Sequence, residues 1–238
     1  MNTFVMVHGA WSAGWAWWRM HSLFLAAHHR LLTPTCTGLG ERSHLLGPRI
    51  DLHMHVDDVV RAIESENLNH VILVGHSYGG MVVTGVADRI PDRIQQLIYI
   101  DALLPESAEC ALDLMPQAQQ AAIREDVKNR GFDWLIPPSP LPPDTPDHDQ
   151  SLALGRRGPQ PLATFTSPVY LAGRASNIPS AYIYCTKTGL YDTFGLSASR
   201  AQAREGWQYH ELPASHNPHI TIPEQLTTLL LSIAGLTN

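Results

Sequence analysis

The run His70-Val-Ile-Leu-Val74 leads without a break into Gly75-His-Ser-Tyr-Gly79, and Gly80-Met-Val-Val83 opens a helix-compatible stretch that reaches Ile90. An apolar run this short, bounded by glycine, reads as a buried strand. Strand, tight turn and helix in succession force a sharp reversal in which the flanking glycines relieve crowding, and Ser77 at the apex is left exposed at the carboxyl edge of a sheet. A serine in Gly-x-Ser-x-Gly can also do no more than cap the helix that follows. Its meaning depends on what the rest of the chain brings to the same edge.

Other short runs follow the same plan. Phe4–Val7, Arg30–Thr33, Leu97–Ile100, Ala181–Tyr184 and Trp207–Leu212 read as strands, and they alternate with helical patterns over Gly14–His28, Asp51–Glu64 and Gly79–Ile90. In the second of these, Asp51 is placed to cap a helix whose apolar residues Val56, Val59, Val60 and Ile63 share one face. Strands separated by helices predict an α/β fold, a mainly parallel sheet with helices on both faces. At 238 residues, with 44% hydrophobic and 16% charged residues, the chain fits one large domain with a substantial core. The stretch from Pro105 to about Pro168 breaks the rhythm. Its Ile136-Pro-Pro-Ser-Pro-Leu-Pro-Pro143 and the acids Asp144, Asp147 and Asp149 suit no central strand, and residues 105–168 are expected to form a small helical insertion with an extended proline-rich segment.

Sixteen Lys and Arg against 22 Asp and Glu give a net charge of −6, with no basic run. That balance excludes nucleic acid and anionic membrane surfaces as partners and favours a small neutral one. The N-terminus has no basic segment ahead of its short apolar run, and Leu226–Leu236 is too short to span a bilayer, so it reads as a docking helix. Three scattered cysteines, Cys36, Cys110 and Cys185, make neither a disulfide framework nor a zinc knuckle, and a reducing cytoplasm is the expected setting. A homodimer is left open.

Two further segments fall at strand ends. The first strand ends in His8-Gly-Ala-Trp11, where a backbone N–H can turn toward a carbonyl bound at Ser77, and the last ends in Pro213-Ala-Ser-His216. Ser77 is then the candidate nucleophile, His216 the general base, and the N–H groups of Ala10 and Tyr78 the donors to a developing oxyanion. Trp11 is the candidate pocket wall. His76 is expected to pack behind the turn and His219 to flank the cleft.

With those residues in place, Phe4-Val-Met-Val-His-Gly-Ala10, Thr37-Gly-Leu-Gly-Glu-Arg-Ser43, Val74-Gly-His-Ser-Tyr-Gly-Gly80 and Ser215-His216 resemble the α/β-hydrolase superfamily, in the branch holding bacterial esterases, plant methylesterases and hydroxynitrile lyases. The likeness runs through nearly the whole chain and is weakest over 105–168. It implies a single α/β-hydrolase domain over 1–238 with 105–168 as a cap, and a serine hydrolase that needs no metal or organic cofactor. The lyases of the branch carry threonine where Gly9 stands and lysine where Asn217 stands, so the resemblance implies cleavage of small, largely apolar carboxylic esters. A lyase or C–C bond hydrolase on the same residues, or a weakly catalytic small-molecule receptor, are the alternatives.

The third member of the set has two candidates. Plant members place an aspartate after the strand that matches Ala181–Thr186, but Cys185-Thr-Lys-Thr-Gly-Leu-Tyr-Asp192 offers a carboxylate only several residues late. Asp101, in Tyr99-Ile-Asp-Ala-Leu103, follows the strand beside that of Ser77 and starts on the same sheet edge, in a pattern similar to certain haloalkane dehalogenases. Asp101 is preferred, with Asp192 the alternative. His53-Met-His-Val-Asp-Asp58 resembles a metallohydrolase run only faintly, since i and i+2 on a helix face apart, and reads as a solvated helix start. Gly38-Leu-Gly40 lacks the third glycine of a dinucleotide fingerprint and reads as a loop.

Overall fold

A computed structural model describes residues 1–236. In chain order it has β1 (Thr3–Val7), α1 (Trp18–Ala26), β2 (Arg30–Leu32), α2 (Leu52–Ser65), β3 (Val71–His76), α3 (Gly79–Arg89), β4 (Ile94–Ile100), α4 (Gln117–Arg130), β5 (Leu135–Ile136), α5 (Asp147–Leu154), β6 (Gln160–Pro161), α6 (Ala163–Thr166), β7 (Ser180–Cys185), α7 (Gly195–Ala203), β8 (Gln208–Leu212), α8 (Pro218–Thr221) and α9 (Pro223–Ile233). All six strands read from the sequence are present. They form one sheet in the order β2-β1-β3-β4-β7-β8, and every neighbouring pair is parallel.

The central strands β1, β3, β4 and β7 are buried on both faces, which is why they read as mainly apolar runs, while the edge strands β2 and β8 are partly exposed. Alternate residues serve opposite layers: Val5, Val7, Leu73, Leu97, Tyr99 and Tyr182 pack with α2, α3 and α7, while Phe4, Met6, Ile72, Val74, Ile98 and Ile183 pack with α1 and α9. Helix α9 begins three residues before the stretch read as a docking helix and overlaps it to Ile233, and it buries Leu226, Leu230 and Ile233 beside Met20 and Phe24 of α1. Asp51 caps α2 as expected, its carboxylate accepting from the Met54 N–H at 3.0 Å. Among the described residues no helix is long and apolar enough to cross a membrane.

The chain runs outward from β1 to β2 and then returns to place β3 on the other side of β1. The crevice at the carboxyl ends of β1 and β3 is therefore the switch point at which open parallel sheets place their sites. Residues 105–168 leave this edge after β4 and rejoin the sheet through β7. They hold α4, α5 and α6 and a short antiparallel pair, β5 with β6. Two residues a side, one of them Pro161, give no readable alternation.

The helix start at residues 53–58 corrects an expectation. His55 is fully buried and held on both nitrogens, while Asp58 accepts from Thr37 and Arg42, so this segment is an internal polar joint and not a solvated end. A helix reading assigns residues to faces but does not say that a polar loop will come down on one of them.

Truncating Ile98, which is fully buried in the centre of the sheet, to alanine is expected to lower stability by about 3 kcal/mol. Loss of the α2 cap in Asp51→Ala is expected to cost only about 1 kcal/mol. Urea unfolding of both variants measures the two losses, and an equal loss would contradict this account of the core.

Candidate active site

Four strand ends supply the site. Ser77 follows β3 in the left-handed region, φ 56°, a conformation that a non-glycine residue holds only when its surroundings enforce it. Here the Ser77 N–H donates to Ile100 O at 3.2 Å, and Ser77 O accepts from the Leu103 and Gly80 amides, both at 3.0 Å. The turn needs its glycines for space: a Cβ on Gly79 would stand 2.7 Å from Val7 O.

The structure brings Ser77, His216 and Asp101 into one chain of hydrogen bonds. His216, on the loop after β8, has Nε2 3.0 Å from Ser77 Oγ and Nδ1 2.6 Å from Asp101 Oδ2. A carboxylate only accepts, so Nδ1 carries the proton, and Nε2 is left to accept from the serine hydroxyl. Asp101, just after β4, is itself in the left-handed region at φ 41°, with its N–H donating to Ile183 O at 2.7 Å. Its second oxygen accepts from the Cys185 N–H at 3.2 Å. The carboxylate is buried, and its position is fixed from two neighbouring strands.

Asp192 lies elsewhere. It is exposed, and its carboxylate sits against Gly195, where a Cβ would meet Oδ2 at 2.2 Å. Its chain neighbour Phe194 does meet the site: the ring stacks on His216 with centroids 4.6 Å apart and planes 9° from parallel. Nothing in the sequence pattern distinguished that ring.

The loop after β1 is shaped by two constraints. A Cβ on Gly9 would approach Ser77 Cβ to 2.8 Å and Ser77 Oγ to 3.3 Å, so β1 can end this close to the serine only with glycine there. His8 supplies the second. Its Nδ1 lies 2.8 Å from Gly9 O and its Nε2 accepts from the Cys36 N–H at 3.1 Å, which puts the ring proton on Nδ1, donating to that carbonyl. In a trans peptide the C=O and the next N–H point in opposite directions. Pinning Gly9 O toward His8 therefore turns the Ala10 N–H away from it. Among the described residues neither the Ala10 nor the Tyr78 amide donates to a protein acceptor. Nothing in the sequence around His8 marks this role.

Trp11, with φ 60°, joins this loop to residues 105–168: its N–H donates to Gln160 Oε1 at 3.2 Å and its indole N–H to Ile136 O at 2.9 Å. The Tyr78 ring stacks on Phe165 at 5.3 Å, and Arg19 of α1 pairs with the buried Asp149 of α5 at 2.7 Å. One cavity of about 110 Å³ is lined by Ser77, His216, Ala10 and Trp11 on the sheet side and by Ser139, Pro140, Leu141 and Pro142 on the other. The proline-rich segment thus covers the serine. Trp15, Trp17, His219 and Arg157 line it as well.

Four buried histidines surround the site in the neutral form. Desolvation lowers His55 to about 4 and His219 to about 3, and it pulls His8 and His76 down too, His76 further by its neighbours His216 and His219. Each has a structural task or contact: His55 accepts from the Tyr78 hydroxyl and donates to Thr37 O, His76 donates from Nε2 to His216 O at 2.7 Å, and the His219 ring packs on Trp17 at 4.7 Å. His76 packs behind the serine and His219 lines the cleft, where the sequence put them.

Residues 4–227 match the model of the Alpha/beta hydrolase family. The chain is 37% identical over 243 residues to the carbendazim hydrolyzing esterase of Nocardioides sp. (strain SG-4G), covering 98% of this chain and 100% of that protein. It is 23% identical over 264 residues to Methylesterase 2 of Arabidopsis thaliana, covering 97% and 95%. Among solved structures, an extracellular alpha/beta-hydrolase from a Paenibacillus species is similar with a TM-score of 0.84 at 23% identity, over 98% of this chain and 99% of that one.

A histidine that binds its proton less well in the fold than in the unfolded chain weakens the fold as pH drops below its ordinary value of 6.5, and the loss levels off below its folded value. For His55 the fall to about 4 makes the protein about 2 kcal/mol less stable at pH 5 than at pH 7. Unfolding free energies from urea titrations at the two pH values are expected to differ by at least this amount. His55→Gln is expected to be weaker at pH 7 and less sensitive to pH.

Proposed function

The chain belongs to the alpha/beta hydrolase family, and from that membership we propose that it is a serine esterase that cleaves carboxylic esters of small, largely apolar substrates through an acyl-enzyme. The observation that carries the reading is the continuous chain from Ser77 Oγ through His216 to the buried Asp101, beside two backbone N–H groups without protein acceptors. In the Nocardioides protein, named as an esterase, ester cleavage is supported by the name itself, and the identity over the full length supports extending it here.

In this mechanism the ester carbonyl lies against Ser77 with its oxygen toward the Ala10 and Tyr78 amides. Ser77 Oγ attacks the carbonyl carbon as His216 Nε2 takes its proton. Negative charge that develops on the carbonyl oxygen is met by the two N–H dipoles, already oriented by the sheet and by His8, so little reorganisation is required. Asp101 stabilises the imidazolium and holds the ring in the reactive tautomer. His216 then protonates the departing alcohol, and collapse leaves an ester on Ser77. Water, deprotonated by the same imidazole, attacks that ester and regenerates the serine.

Residues 105–168 act as a lid in this reading, with Ser139–Pro142 limiting the size of what reaches Ser77. The aromatic walls and modest volume suit an apolar portion of the substrate. Gly9 favours hydrolysis over the lyase alternative, because the Cβ of a threonine there would press on Ser77. A reducing, cytoplasmic setting belongs to the same reading and is supported by three free cysteines, two of them buried.

Hydrolysis of p-nitrophenyl butanoate, followed by stopped flow, is expected to show a burst that marks acylation, and Ser77→Ala is expected to lose turnover by about 10⁶-fold. Normal turnover by Ser77→Ala would overturn the proposal. Asp101→Asn is expected to lower kcat by about 10⁴-fold while Asp192→Asn stays near wild type. The opposite ranking would assign the carboxylate to Asp192.

A further inference from the structure

Arg157 is the one cation among the cavity-lining residues, and it is built into the lid between α5 and β6. Its guanidinium donates from one nitrogen to Ser139 O at 2.6 Å and lies 5.7 Å from the centroid of the Trp11 ring. Both contacts hold it at the cavity without neutralising it. Arg19, Arg30, Arg42, Arg89, Arg130 and Arg200 each reach a carboxylate, whereas no carboxylate comes within ion-pairing distance of Arg157 among the described residues. Partial burial lowers its pKa to about 10, and at neutral pH the half-buried guanidinium stays charged with no counter-ion beside it. A guanidinium has five N–H donors in a rigid fork, suited to oxygen acceptors, and most of them are not committed here. The same cavity holds further unmet polar capacity, since Trp15 Nε1 and His219 Nδ1 have no hydrogen-bond partner among the described residues.

We infer that Arg157 is a specificity residue, receiving an oxygen acceptor, a carboxylate or a second carbonyl, carried by the ester on the part that extends from Ser77 beneath Ser139–Pro142. The inference rests on the reading of Ser77 as nucleophile, because it takes the reacting carbonyl to lie there. It narrows the substrate class: an apolar body within the tryptophan walls, with one acceptor held away from the scissile bond. Arg157 does not touch the reacting atoms, so its contribution is to binding and orientation, and it is confined to substrates that carry the acceptor.

The test compares kcat/KM by acid release in a pH-stat across two matched series. In the acyl series phenyl pentanoate is set against phenyl 4-oxopentanoate and monophenyl succinate. In the alcohol series 3-methylphenyl butanoate is set against 3-acetylphenyl and 3-carboxyphenyl butanoate. In at least one series an acceptor-bearing member is expected to exceed the apolar one by about tenfold or more. The member that gains more distinguishes a carboxylate from a neutral carbonyl. Arg157→Met is expected to remove that advantage and change the apolar ester by less than about threefold, while Arg157→Lys keeps part of it. No advantage in either series, or a parallel loss on all esters in Arg157→Met, would overturn the inference. The apolar esters also report whether the lid has stayed folded in the variant. Their loss in Ser77→Ala keeps the serine reading standing if the Arg157 inference fails, and their survival in Ser77→Ala would remove that reading itself.

Discussion

The site depends on how closely the ends of β1 and β3 approach. Parallel pairing carries β1 alongside β3 until Val7 faces Gly75, and one residue further each chain must turn away. At that point Gly9 meets the Ser77 side chain with no room for a Cβ between them. The contact sets the distance between the serine and the loop that bears the Ala10 amide. The His8 ring then fixes which way that loop's peptide faces, through one hydrogen bond to Gly9 O. In the proposed mechanism, polarity at the oxyanion position thus comes from backbone dipoles aimed by sheet register and one buried imidazole. No flexible side chain has to be ordered for it when substrate binds.

The histidines show how this is maintained. Thirteen occur in a chain of 238 residues, and four buried ones around the site do structural work that requires them neutral. His8, His55 and His76 use one nitrogen or both to place a backbone group or a neighbouring hydroxyl, and His219 packs its ring on Trp17, tasks that a protonated ring would do less well in a dry environment. His216 differs by being partly exposed, with side-chain accessibility of 32% beside an Asp101 at 6%. In the proposed mechanism the exposed face is where a substrate and water reach the base, while the buried carboxylate holds its other edge.

Much of this was legible in the sequence, for physical reasons that also mark where reading stops. The four central strands are buried on both faces and so give short, mainly apolar runs, and the alternation of such runs with helical patterns made the two edge strands visible as well. Ser77 stood out because a strand, a glycine-flanked turn and a helix lie within a dozen residues, and His216 because it ends the last strand. The preference for Asp101 came from sheet adjacency, which follows from chain order alone. Phe194, Gln160 and Phe165 were silent, since their contacts with His216, Trp11 and Tyr78 join segments far apart in sequence. The burial of His55 was misread for the same reason: its partners Thr37 and Tyr78 lie 18 and 23 residues away on different elements.

The central claim is that β1–β3 register and His8 aim two backbone amides at the place where a carbonyl oxygen develops charge. A crystal structure of the enzyme inactivated by a small alkyl phosphonate ester, whose phosphoryl oxygen stands in for the oxyanion of the tetrahedral intermediate, measures this directly. The account predicts phosphorus bonded to Ser77 Oγ and the phosphoryl oxygen about 3 Å from both the Ala10 and Tyr78 nitrogens. A phosphoryl oxygen turned away from these amides, with Gly9 O no longer held by His8, would contradict it.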